Sequence, residues 1–210
     1  MRVQKMVVAT VWMAAACFGA KPPSDKVDPH LTIRIYTFAS MPSSDLRSAV
    51  AIAMLGLHES GIHLSWMDCT SAQNSVPCES PERPDILTIR IVRGVMPQAR
   101  AGALGMAMRS VRGDSAVLFY DRASSLTRPG RYLDQILGRA MAHEIAHMLL
   151  PDGSHADFGL MREDWAAEDL RLGNPACFGF TKHTIALLRT GALRRAVAAS
   201  VWQQNVHGDE

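Results

Sequence analysis

In the run His143-Glu144-Ile145-Ala146-His147, two histidines stand four residues apart. On a helix that spacing puts both imidazoles on one face, one turn apart, at a separation suited to sharing one ion. Glu144 follows His143 directly and so sits about 100° round the same helix. A carboxylate placed there can take a proton from water held by the ion without being a tight ligand itself, which is the general-base arrangement of metal-dependent hydrolysis. A Pro151-Asp152-Gly153-Ser154 turn then leads to a further histidine, His155, and Gly159-Leu160-Met161 comes soon after. The stretch His143 to Met161 therefore predicts a zinc hydrolase site.

This stretch resembles the metzincin zinc peptidases, whose long motif runs H-E-x-x-H-x-x-G-x-x-H and is followed by a methionine turn. Here the third histidine comes eight residues after His147 where the motif has six, and Leu150 stands where the turn glycine would be. Two residues are thus inserted; Gly153 can supply the left-handed conformation that reverses the chain, and Pro151 stops the helix near Leu150. The resemblance implies one Zn2+ ion held by His143, His147 and His155, with Glu144 as base and Met161 in the turn under the metal. Glu168 is the rival third ligand, 21 residues after His147, as in thermolysin-like peptidases that use two histidines and a glutamate. The implied partner is a polypeptide, which could lie antiparallel to an edge strand at Leu104, Gly105 and Met106. The other function class is a non-catalytic extracellular binding protein with a structural or vestigial metal site.

The elements that would position these residues can be read from periodicity. Leu31 to Phe38, Ile62 to Asp68 and Ile86 to Val92 alternate apolar and polar residues or run branched and apolar, as strands do. Ala103 to Met108 reads as a weaker edge strand paired with Ser115 to Tyr120 through the Gly113-Asp114 turn. A helix is expected from the capping residues Ser43, Ser44 and Asp45 to about His58. The histidine-bearing helix should run from near Arg131 to Leu150, burying Met141, Ile145 and Met148 and turning its histidines to a cleft. A short helix at 166–172 and a last one over 181–204 complete the chain. The fold expected is α+β in layers, zincin- or metzincin-like: a twisted mixed sheet of about five strands, the histidine helix and C-terminal helices.

Composition bounds the rest. With 210 residues and 48% hydrophobic content the chain can bury one core, read as a single catalytic domain over 31–210. Arg2 and Lys5, an apolar run from Met6 to Ala16 and then small residues follow the plan of a secretory signal peptide over residues 1–20. Residues 21–30 read as an extended lead-in, and Cys17 leaves lipid attachment as a lesser alternative. Export removes two basic charges and leaves 20 basic against 20 acidic residues, which gives nucleic-acid binding no support. The apolar run is too short to span a bilayer, so no stable membrane insertion is expected. Cys69 and Cys78 flank a short polar loop and are expected to pair in an oxidising compartment. Arg189, Arg194 and Arg195 read as a solvated helix face.

Overall fold

The computed structural model describes residues 28–70, 76–79, 82–110, 113–127, 132–152, 155–165 and 179–207. The expected signal peptide, most of the lead-in and the helix at 166–172 with Glu168 lie outside the described residues. In chain order the elements are β1 (His30–Thr37), α1 (Ser43–His58), β2 (His63–Asp68), α2 (Val76–Glu79), β3 (Ile86–Val92), β4 (Gly105–Met108), β5 (Ser115–Phe119), α3 (Tyr120–Ser125), α4 (Leu133–Leu149), a 3-10 turn at Gly159–Met161 and α5 (Lys182–His207). The strands form one mixed sheet in the order β2-β1-β3-β5-β4. β1, β2, β3 and β5 run parallel to their neighbours, and β4 pairs antiparallel with β5 at the edge.

Alternation along the strands makes the layer. Leu31, Ile33 and Ile35 of β1 stand in register with β3, whose Leu87, Ile89 and Ile91 are fully buried, and Ala116 and Leu118 of β5 extend the same face. Against that face pack Leu46, Ala49, Ala53 and Leu57 of α1 and Ile136, Met141, Ile145 and Met148 of α4. Removing one such Ile or Leu from water contributes about 1.5–3 kcal/mol, whereas an exposed ion pair contributes about 0–1 kcal/mol. The apolar layer, and not surface charge, therefore fixes where α4 lies. Small residues set the α1–α4 approach: Gly138 faces the Ala49 carbonyl and Ala142 faces Gly56.

Several boundaries differ from the sequence reading for physical reasons. Pro42 occupies the N-cap of α1 and no side chain caps the helix, so the expected serine capping is absent and Asp45 favours the first turn through the helix dipole. α4 begins at Leu133 after Tyr132, which is held in the left-handed region at φ 69°. Its end agrees with expectation, because Leu150 precedes Pro151 and is extended. The arginine face is not simply solvated. Arg195 donates to the carbonyls of Pro84 (2.9 Å) and Met148 (3.1 Å) and pairs with Asp114, while Arg189 reaches the Gly61 carbonyl at 3.0 Å and Asp28 at 2.6 Å. These contacts tie α5 to the sheet and to the end of α4. Cys69 and Cys78 are joined by a disulfide between the end of β2 and α2. Among the described residues no helix is long and apolar enough to cross a membrane.

Candidate metal centre

α4 brings His143 and His147 to the same side, one turn apart, and the chain beyond Pro151 returns His155 to meet them. The Nε2 atoms of His143 and His147 lie 2.9 Å apart and those of His147 and His155 lie 3.1 Å apart. All three ligand atoms fall within 4.8 Å of one another. The Nδ1 of His143 donates to the Leu160 carbonyl at 2.7 Å, which requires the proton on Nδ1 and leaves the Nε2 lone pair aimed at the meeting point. Two main-chain bonds hold the returning loop: Ala156 N–H to the Met161 carbonyl at 2.8 Å, and Leu160 N–H to the Gly179 carbonyl at 2.9 Å. Met161 is buried in the core at this turn. Imidazole nitrogens on a tetrahedral zinc ion stand about 3.4 Å apart, so separations of 2.9 and 3.1 Å need only a slight spreading to accept one. The donor set fits zinc.

Glu144 points from the neighbouring face of α4 to the edge strand. It is 5% exposed, and burial pushes its carboxyl up from 4.5 to about 8, against the opposing effect of a hydrogen bond from the Ala107 N–H. Burial likewise pulls His143 down from 6.5 to about 4; the bond to the Leu160 carbonyl works against this and the charge of His155 adds to it. An acid kept neutral and an imidazole kept neutral thus stand side by side. The neutral imidazole is the form that binds a metal ion, and the acid is one proton transfer from the carboxylate that metal-assisted hydrolysis needs.

No protein-family model and no curated protein sequence matches the chain. Among solved structures, the fold is similar to that of archaemetzincin from Methanopyrus kandleri, with a TM-score of 0.51 and 14% sequence identity over 79% of this chain and 97% of that one. The fold is metzincin-like.

In this metzincin-like fold the histidines form the floor of a cleft of about 790 Å3. Leu104 to Ala107 line one bank, and Arg162 and Trp165 the other. The Phe119 N–H donates to the Leu104 carbonyl at 2.8 Å. Leu104 and Met106 therefore turn their main-chain groups to β5, and Gly105 and Ala107 turn theirs outward. Of the three residues expected to meet a substrate strand, only Gly105 offers its main chain to the cleft; Leu104 and Met106 line it without doing so. Arg100 pairs with Glu163 and lies 3.7 Å from Asp164, joining the two banks at one end.

Trp165 and Arg109 are among the lining residues that the sequence reading did not single out. Trp165 sets its ring edge to face against His143, with centroids 5.4 Å apart. Arg109 donates to the His147 carbonyl at 2.6 Å and to the Pro151 carbonyl at 2.8 Å, tying the end of the edge strand to the end of α4. The only signal for either was position: Trp165 comes four residues after Met161, and Arg109 is the first cation after the edge strand. His30, His58, His63 and His183, given no role from sequence, are all exposed.

Proposed function

We propose that the chain is a zinc-dependent peptidase that acts outside the cytoplasm after losing residues 1–20. The observation that carries the reading is the meeting of three Nε2 atoms beside a buried glutamate on the floor of a cleft walled by a strand edge. His143, His147 and His155 are the residues that would hold one zinc ion. When bound there, the ion supplies an acidified water and a Lewis-acid contact for the scissile carbonyl. Glu144 takes a proton at its carboxylate as water adds, and gives it to the departing amine nitrogen. Burial raises the affinity of the Glu144 carboxyl for protons, which favours its receiving one as water adds.

An extended polypeptide is the substrate this cleft fits best. The outward Gly105 groups and the Ala107 carbonyl can pair with a strand laid antiparallel to β4, giving affinity without sequence demands. Lining side chains would then set preference. The Cys69–Cys78 bridge supports an oxidising compartment. The test is hydrolysis of a mixed library of quenched peptides by exported, purified protein, before chelation, after it and after zinc is restored. The proposal expects cleavage that chelation abolishes and zinc recovers, from a protein whose N-terminus lies near residue 21. Cleavage indifferent to chelation, or none in any state, contradicts it.

A further inference from the structure

Gly105 sits inside a strand, where glycine weakens pairing by about 0.5–1 kcal/mol relative to alanine. Its backbone does not call for glycine, since it is not among the positive-φ residues. The demand comes from space. A Cβ added at Gly105 would lie 2.8 Å from Glu144 Oε1, 2.9 Å from Glu144 Cγ and 2.8 Å from Leu118 Cδ2. Leu118 Cδ2 is the end of a flexible side chain, but Glu144 Cγ is fixed to a buried helix and cannot retreat easily. Two residues on, the Ala107 main chain also faces outward from the ladder. A strand glycine marks a place where another group must come close, and here that group is the carboxyl of the proposed base.

We infer that Gly105 forms a seat that positions the Glu144 carboxyl, so the edge strand places the base as well as guiding substrate. The inference rests on the peptidase reading for its consequence, while the seat itself stands on the contacts above. Gly105 leaves the gap that the carboxyl enters. Gly105 is a positioning residue, acting only through Glu144. A displacement of about 1 Å in a reacting group can lower a rate about a hundredfold.

The experiment compares zinc-loaded full-length wild type with Gly105→Ala, Glu144→Asp and the double variant, measuring kcat and KM on one quenched peptide and zinc per chain. Gly105→Ala should lose about a hundredfold in kcat with KM and zinc content near wild type. The double variant should turn over at least tenfold faster than the product of the two single effects, because an aspartate is shorter and clears the added methyl. A seat that were only structural would show no such rescue. A crystal structure of Gly105→Ala provides a readout that needs no turnover: the Glu144 carboxyl should stand displaced from its wild-type place, with α4 unmoved. Wild-type kcat in Gly105→Ala, additive losses in the double variant, or a Glu144 carboxyl that keeps its wild-type place in the Gly105→Ala crystal would each overturn the seat. A wild-type protein that cleaves nothing would count against the peptidase reading alone, and the position of the carboxyl would still decide the seat.

Discussion

The Nδ1–H of His143 and the carbonyl of Leu160 meet at 2.7 Å across seventeen residues, so the turn after the third histidine orients the first. Gly159 makes that turn possible. It adopts φ +76°, and a Cβ on it would collide with the Gly179 carbonyl. Gly159→Ala should move the Leu160 carbonyl and weaken zinc binding about 10–100-fold, the usual range for loss of a ligand's supporting bond. Competition with a zinc-binding dye checks this, and unchanged affinity would show that the turn does not orient His143.

His155 is the ligand whose sequence spacing departs most from the motif, and its Nε2 lies 3.1 Å from that of His147. His155→Ala should leave two protein ligands and lower zinc affinity by several powers of ten, with loss of hydrolysis. Glu168→Ala should change neither. If the glutamate variant loses the metal and the histidine variant keeps it, the site is of the two-histidine, one-glutamate kind.

The stability of the zinc-stripped protein should fall as pH rises from 6.5 to 8. Glu144 binds its proton more tightly folded than unfolded, with a midpoint of about 8 against 4.5, so its contribution is present below 4.5 and is lost as pH climbs to 8. His143 has the opposite sign: its midpoint is about 4 against 6.5, so its contribution is present above 6.5 and lost as pH falls toward 4. The two oppose one another between 4.5 and 6.5, and above 6.5 only Glu144 acts. At about 1.4 kcal/mol per pH unit, the fall over that upper window is about 2 kcal/mol. Urea midpoints measure it. A stripped protein that gains stability over this window would contradict the burial of Glu144.

Arg109 holds the His147 carbonyl of α4 and the Pro151 carbonyl just past it with two bonds from one planar guanidinium. Because the group is exposed, about 1 kcal/mol is at stake. Arg109→Ala should lower Tm by about 2–4 °C for a chain of this size, and Arg109→Lys should recover less than half of that because an ammonium lacks the paired donors. A calorimetric scan with no change in either variant would remove the clamp.

The sheet and its covering helices were legible because their signals are local. Leu31, Ile33 and Ile35 alternate along their strand, Leu46, Ala53 and Leu57 recur along theirs, and His143, Glu144 and His147 need only a helix to share a region. What was not legible depends on contacts distant in sequence. Nothing near Gly105 announces that a carboxyl from α4 will lie against it, and the partners of Arg189 and Arg195 at Gly61, Pro84 and Met148 come from remote segments. The short helices α2 and α3 were missed because four and six residues are too few to show a period. The left-handed Tyr132 before α4 is a conformation that its residue type does not favour, so its own identity gave no signal for it.

The central claim is that three histidines hold one zinc ion and Glu144 moves the proton. Zinc content and turnover of Glu144→Gln, measured together against wild type, test it most directly. The account predicts one zinc per chain in both proteins and a loss of nearly all hydrolysis in the variant, since the amide keeps the side chain's shape and cannot take the proton. Turnover at the wild-type rate by Glu144→Gln, or no bound zinc in wild type, would contradict it.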